Sequence, residues 1–337
     1  MKLIRTLKTK LKNTLTYNIE SKLDTFAMCN AKIISHQHLE RYKQIILHTS
    51  NTSNIPLGGG GQSQALVQLA QCDLQDFEFR VFSQNGEDGM IDFLVEILGL
   101  DSSACLYPHA FVEFGVQNYT ESNTRFLLKK RNWQGLVMDG SQEYIHFIQQ
   151  DEIYWRHDLE AKCAFITREN INTLIQQWLE SRKLENVALL SIDIDGVDYF
   201  VWEAITCITP AIVVIEFNAL FGDEKHISVP YREDFDRFKA HYSGLYFGAS
   251  INALITLGKT KGYNFVGADS SGTNLFFVHK SLESKTALLK TKPLKSYCNQ
   301  HNARQSRDTQ GRLNFISGED RQRLIQNLPL YTTYKES

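Results

Sequence analysis

Tyr263-Asn264-Phe265-Val266-Gly267-Ala268-Asp269-Ser270-Ser271-Gly272-Thr273-Asn274-Leu275-Phe276-Phe277-Val278-His279 holds two apolar runs with only Asp269–Thr273 between them. Runs rich in aromatic and branched residues read as strands. So short a link permits an antiparallel hairpin, whereas a parallel crossover needs about a dozen residues or more. Upstream the rhythm changes. Strand candidates Ala110–Phe114, Gly135–Met138, Val187–Ile194 and Ala211–Phe217 alternate with helical segments near 88–98, 121–130, 168–182, 199–206 and 250–261. Strands separated by helices argue for a parallel sheet covered on both faces. The pattern predicts an α/β domain over 77–280 whose mainly parallel sheet closes in an antiparallel hairpin.

Outside that domain the chain divides into a helical segment (1–50), a Gly-rich linker (51–76) and a polar C-terminal extension (281–337). Lys2, Arg5, Lys8, Lys10 and Lys12 accompany Leu3, Leu7, Leu11 and Leu15, which share one helical face. Such a helix packs on its own domain, on a partner or on an anionic membrane surface. A second helical stretch, Ile19 to Leu47, is long enough for a hairpin or a dimer contact. Gly58-Gly59-Gly60-Gly61 follows Pro56, and four glycines hold a helix or strand only at a cost. No Lys-Ser or Lys-Thr follows them, which excludes a P-loop.

The 337 residues carry a net charge of −2 and no extended basic stripe across the domain, so a nucleic-acid partner is not expected. The six cysteines form no C-x-x-C pair and show no zinc spacing. No apolar run approaches the roughly 20 residues of a bilayer span, and the basic N-terminus lacks a signal peptide's apolar core. The expected location is the cytoplasm, with peripheral contact at the inner membrane surface.

The candidate chemistry lies at strand ends, where open parallel sheets bind ligands. The first strand ends in Glu113-Phe114-Gly115 and the second in Asp139-Gly140. A glycine lets the backbone approach a ligand. Asp139 is placed to bind both hydroxyls of a ribose, and Glu113 to accept hydrogen bonds or face a sulfonium cofactor through water. The fourth strand runs into Ser191-Ile192-Asp193-Ile194-Asp195-Gly196-Val197-Asp198, with Asp193 and Asp195 on one face. Acids this dense repel one another unless a cation, donors or water compensate. The fifth strand ends in Glu216-Phe217-Asn218. Asp193, Asp195, Glu216 and Asn218 form an oxygen-ligand set suited to Mg²⁺ or Ca²⁺. Alternatively Asp193, Asp195 or Glu216 acts as general base while the others hydrogen-bond a polyhydroxy substrate. The residues leave both open. His226, in the loop after the fifth strand, is a further candidate base. In Ser83-Gln84-Asn85-Gly86-Glu87-Asp88, Asp88 reads as a helix cap, with Gln84 and Glu87 lining a pocket.

Taken together, Ser83–Asp88, Glu113-Phe114-Gly115-Val116 with Glu121-Ser122-Asn123-Thr124, Asp139-Gly140, Ser191–Gly196 with Asp198-Tyr199, Ile215-Glu216-Phe217-Asn218, Tyr246-Phe247-Gly248-Ala249-Ser250 and the final hairpin resemble the FkbM-type methyltransferase family over about 200 residues. The resemblance implies a Rossmann-like class I fold with a seven-stranded sheet, S-adenosylmethionine as methyl donor, and transfer to a hydroxyl of a saccharide or surface-glycan precursor. Carried over, Glu113, Gly115 and Asp139, with Gly140 and Gln84 beside them, hold the donor, and Asp193 sits near the methyl group. The chain departs from the family at Gln117 and Tyr119, where the usual loop has further glycines. Side chains there are expected to narrow the room for the donor's methionine part. The alternative is an assembly or binding protein that keeps the fold without catalysis, working through its N-terminal helices. A nicotinamide oxidoreductase is disfavoured by the absence of G-x-G-x-x-G.

Overall fold

The computed structural model describes residues 2–52, 72–298 and 306–333, with side chains in the first stretch described for 19 and 22–47. The tetraglycine therefore lies outside the described residues, as do the side chains of the basic N-terminal turns.

The seven-stranded sheet has the order β3-β2-β1-β4-β5-β8-β7, from β1 (Ala110–Phe114), β2 (Gln134–Asp139), β3 (Leu159–Cys163), β4 (Leu189–Ile192), β5 (Ile212–Glu216), β7 (Tyr263–Ala268) and β8 (Asn274–His279), while the short β6 (Ile227–Ser228) pairs outside it with Tyr331–Thr332. Strands β1 to β5 pair in parallel, while β8 lies antiparallel to both β5 and β7. This is the class I methyltransferase topology, a doubly wound sheet with a reversed terminal hairpin. The edge strand β3, with Leu159 and Ala161 as its inward residues, is the one whose pattern was too short to read.

Period-two alternation builds two cores, one on each face. Val112, Leu190 and Val213 point to one side, and Phe111, Leu189 and Ile212 to the other. The first face is covered by helices Ile171–Arg182, Asp198–Ala204 and Ile251–Thr260, and the second by Glu87–Leu98 and Gln142–Gln150. Gly135 exists for packing, since a Cβ there would overlap the tip and near edge of the Phe111 ring.

The two N-terminal helical stretches are a single helix, α1 (Lys2–Thr52), instead of a hairpin. No glycine or proline occurs between its ends, so nothing in the sequence breaks it. Its described part docks on helix Glu87–Leu98. Tyr42 meets Phe93 edge-on at 5.1 Å and His38 meets Phe77 at 5.4 Å. The Ser35 hydroxyl donates to Asp92 (2.5 Å), a buried carboxylate also held by Lys130 at 2.7 Å. Among the described residues no helix is long and apolar enough to cross a membrane.

Candidate functional site

The C-terminal ends of β1, β2, β4 and β5 open onto two adjoining cavities. The smaller, about 170 Å³, is walled by Gly140, Phe165, Val197 and Phe235, with Asp139 at one side. The larger, about 770 Å³, is polar; only Gly115, Val116 and Phe315 in its lining carry no polar side-chain atom. Gly115, Gln117, Asp193 and Asp195 belong to both.

The loop after β1 keeps a left-handed backbone at the positions where the resemblance leads one to expect further glycines. Gly115, Gln117 and Tyr119 have φ of 81°, 49° and 61°. The left-handed backbone is kept although two of the three residues bear side chains, at a cost of about 1 kcal/mol each. Tyr119 does not narrow the pocket. Its ring is buried in the core and its hydroxyl bonds Thr124 Oγ1 at 2.9 Å. Gln117 does face both cavities, while its backbone N–H donates to Asp139 Oδ2 at 2.8 Å. At Gly115 the chain needs the space as well as the conformation. A Cβ would overlap the Asp193 carbonyl oxygen, so only glycine lets β1 and β4 end side by side.

Each acid has a distinct environment. Both oxygens of Glu113 are engaged by the loop that starts the next helix: Oε1 accepts from Asn123 N (2.9 Å), and Oε2 accepts from Thr124 N (3.1 Å) and the Thr124 hydroxyl. Burial pushes its carboxyl upward, opposed by these donors. Glu113 thus shapes the loop beside the larger cavity. Asp139 accepts one N–H per oxygen, from Gln117 and Ser141 at 2.8 Å each, which leaves lone pairs towards the smaller cavity. Asp198 reaches back from the first turn of its helix to Ile194 N (2.8 Å) and Gly196 N (3.0 Å), and burial pushes it up to about 6. It fixes the turn and caps nothing ahead of it.

Asp193, Asp195 and Glu216 come together, with one oxygen of each within 4.8 Å of the others. Burial, and then the charges of Asp195 and Asp198, raise Asp193 well above the ordinary carboxylate range; a hydrogen bond with Glu216 and the Arg237 charge act against this. Two carboxyl groups joined by a hydrogen bond hold a proton between them. Asp195 is half exposed and ion-paired to Arg237, whose guanidinium lies 4.2 Å over the Phe247 ring.

The structure does not bring Asn218 to this cluster. Its side-chain NH₂ donates to the carbonyls of Leu245 and Phe247, both at 2.9 Å, and its oxygen accepts from Leu220 N. Both N–H donors and one lone pair of the oxygen are thus engaged and Asn218 lines neither cavity, which makes it a brace for the 245–249 segment. His226 bonds Thr256 Oγ1 at 3.2 Å and lines neither cavity. Gln84 lines the larger cavity. Glu87 is one layer behind, with Oε1 accepting from Asn274 (2.9 Å) and Asn85 (3.2 Å), which do line it. Asp88 does not cap its own helix. Its Oδ2 gathers the N–H groups of Val81, Phe82 and Ser83 at 2.6–2.9 Å.

No family model and no curated protein matches the chain. Solved structures similar to it include an S-adenosylmethionine-dependent methyltransferase from Clostridium acetobutylicum (10% identity, 57% of this chain and 90% of that one, TM-score 0.35), the N-terminal domain of EvdMO1 with SAH bound (9%, 66% and 97%, 0.38), and the O-methyltransferase from Bacillus cereus in complex with SAH (10%, 71% and 90%, 0.31). Similarity at these values decides nothing about substrate or chemistry, which rest on the residues themselves.

Arg237, Phe165, Phe235 and Phe315 are site residues that the sequence pattern does not disclose. Arg237 sits in the mixed run Arg232-Glu233-Asp234-Phe235-Asp236-Arg237, where no period distinguishes it. Phe165 follows the unread strand β3. Phe315 arrives from the C-terminal extension, far along the chain.

Proposed function

We propose that the chain is an S-adenosylmethionine-dependent O-methyltransferase acting on a hydroxyl of a saccharide or surface-glycan precursor, of the FkbM type. The observation that carries this reading is the junction of the two cavities at Gly115, Gln117, Asp193 and Asp195. The smaller suits an adenosine, with apolar walls at Phe165, Val197 and Phe235 and the spare lone pairs of Asp139 for ribose hydroxyls. Gly140 fits the same role, because its Cα lies close under Phe165: an added Cβ would be 3.4 Å from that ring. The polar larger cavity suits a polyhydroxy acceptor.

The donor, when bound, supplies a methyl on a positively charged sulfur, already a strong electrophile. The protein's tasks are to align the acceptor oxygen and remove its proton. The singly protonated Asp193–Glu216 pair keeps one free carboxylate charge. As the oxygen–methyl bond forms and the methyl–sulfur bond breaks, leaving a neutral thioether, the hydroxyl proton would pass to that pair, which becomes neutral. Asp195, paired to Arg237, stabilises the turn and adds the charge that keeps the pair's proton affinity high. The Arg237 guanidinium already occupies one Asp195 oxygen, which favours this proton-accepting role over Mg²⁺ held by Asp193, Asp195 and Glu216.

Calorimetry of S-adenosylmethionine with the purified protein, with and without Mg²⁺, tests the reading. Micromolar binding is expected without the metal. Asp139→Ala removes charge-assisted bonds to two hydroxyls and should weaken binding by roughly a hundredfold or more. Absence of donor binding in both conditions would overturn the methyltransferase reading.

That outcome would favour an assembly protein. Ile19, Leu23, Phe26, Ile33 and Leu47 are exposed along α1, which suits a second copy or a membrane surface at the cytoplasmic face. Light scattering on Phe26→Asp separates these, since a helix-mediated dimer would fall to monomer.

A further inference from the structure

We infer that Phe315 is the stacking platform for the acceptor and that the acceptor ring is uncharged; this rests on the methyltransferase reading of the same site. Phe315 is 53% exposed, yet it lines the larger cavity, otherwise surrounded by amides, hydroxyls and acids. Among the described residues it is the single aromatic ring in that lining. An aromatic face in a polar chamber is complementary to a ring that is apolar on one face and hydroxylated around its rim, which describes a pyranose.

The segment holds the ring there deliberately. Phe315 has a φ of 49°, a left-handed conformation that costs a side-chain-bearing residue about 1 kcal/mol. Its neighbours are fixed. Arg307 and Leu313 form a β-bridge, Asn314 N donates to Ser306 O at 2.9 Å, and Arg307 N donates to Ser243 O at 3.2 Å. The Arg307 guanidinium lies 5.0 Å over Phe238, adjacent to Arg237 of the site. The C-terminal extension is thus tied to the 237–245 segment and delivers Phe315 to the cavity.

The charge of the chamber sets the second half of the inference. Among the described residues, Glu113, Glu121, Asp193, Asp195 and Glu216 line it, against Arg237 as the one basic residue, itself bound to Asp195. Glu121 is paired to Arg80. No basic group among the described lining residues is left to meet a phosphate or carboxylate, and the excess of acids in the lining disfavours an anionic sugar.

The test uses the full chain loaded with S-adenosylhomocysteine and, as probes, the methyl pyranosides of glucose, galactose and mannose beside glucose 6-phosphate and glucuronate. Saturation-transfer NMR reads binding, and calorimetry of the donor product reports the intact smaller cavity. At least one neutral pyranoside should bind the wild type, with transfer concentrated on one C–H face of its ring, and both anionic sugars should bind more weakly. Phe315→Leu, which keeps bulk without the ring, should lose roughly two- to tenfold in pyranoside affinity and none for the donor product. Phe315→Tyr should restore the probe affinity. Equal probe binding by Phe315→Leu, tighter binding of an anionic sugar, or no binding of any neutral pyranoside overturns the inference even if donor binding stands. Loss of donor-product binding in Phe315→Leu also overturns it, since the residue would then serve the fold. Failure of the donor itself to bind the wild type instead removes the reading beneath it.

Discussion

Replacing Gly115 by alanine should be among the most damaging single-methyl changes in this domain. The residue has a φ of 81°, and a Cβ would overlap the Asp193 carbonyl oxygen and stand 2.6 Å from the carbonyl carbon, where ordinary contact begins at 3.4 Å. The end of β4 would have to retreat by roughly 1 Å or more. That retreat strains the bond from Asp193 N to Phe114 O, already 3.3 Å long, and the last rung between β1 and β4. Left-handed strain contributes about 1 kcal/mol and overpacking about 1–3 kcal/mol. A loss of about 2–4 kcal/mol is expected, a large share of the roughly 5–15 kcal/mol that holds a domain together. Gly311 separates the two causes. It has a similar φ of 78° with nothing within 4 Å of its added Cβ, so Gly311→Ala should cost only the strain, about 1 kcal/mol. Gly140→Ala, with its contact at 3.4 Å, should cost less than about 1 kcal/mol. Urea unfolding followed by circular dichroism measures all three. A midpoint for Gly115→Ala equal to that of Gly311→Ala would show that β1 and β4 do not meet as described.

Asp193→Asn should stabilise the protein while abolishing methyl transfer. The Asp193 pKa is raised, so its ionisation penalises the folded state once the pH exceeds the ordinary carboxylate value near 4. The variant's advantage should be absent below about pH 4, grow as pH rises, and reach a few degrees in Tm at pH 8; a constant offset across the range would contradict it. Tyr119→Phe removes the outer member of the chain Tyr119–Thr124–Glu113 and should cost about 1 kcal/mol in urea unfolding; no loss would mean that the hydroxyl is not anchoring the loop. Tyr42→Ala deletes the edge contact on Phe93 and the bond to Lys285 O, and should cost about 3 kcal/mol. An unchanged unfolding midpoint would mean that α1 contributes nothing to the domain.

The sheet was legible because its strands are buried on both faces and read as continuous apolar runs. β1, β7 and β8 begin and end where the pattern places them. Strand β4 is shorter than its apolar run, because Asp198 draws the N–H groups of Ile194 and Gly196 into a turn that periodicity does not register. Edge strand β3, Leu-Glu-Ala-Lys-Cys, has too few apolar positions to announce itself. At the site, density of acids after strands pointed to Asp139, Asp193, Asp195 and Glu216. The same rule overreached at Asn218, which lines neither cavity and whose NH₂ is spent on carbonyls from a segment some 30 residues onward. It also missed Phe315, because a lone aromatic in a polar extension carries no period and its relevance depends on where the extension folds back. Gln117 and Tyr119 teach a separate lesson. A side chain at a glycine position closes a pocket only if it points there, and Tyr119 turns inward to the core.

Gly115, Gln117, Asp193 and Asp195 line both chambers, so occupation of one alters the walls of the other. Binding free energies around a closed cycle must agree, whatever the molecular details. If an acceptor tightens the hold on the donor tenfold, the donor tightens the hold on the acceptor by the same factor. The spent donor, differing by one methyl and one charge, would keep much of that mutual grip. Under the proposed function, turnover would then depend on how quickly the demethylated by-product is cleared from its surroundings, and accumulation of that by-product would slow it.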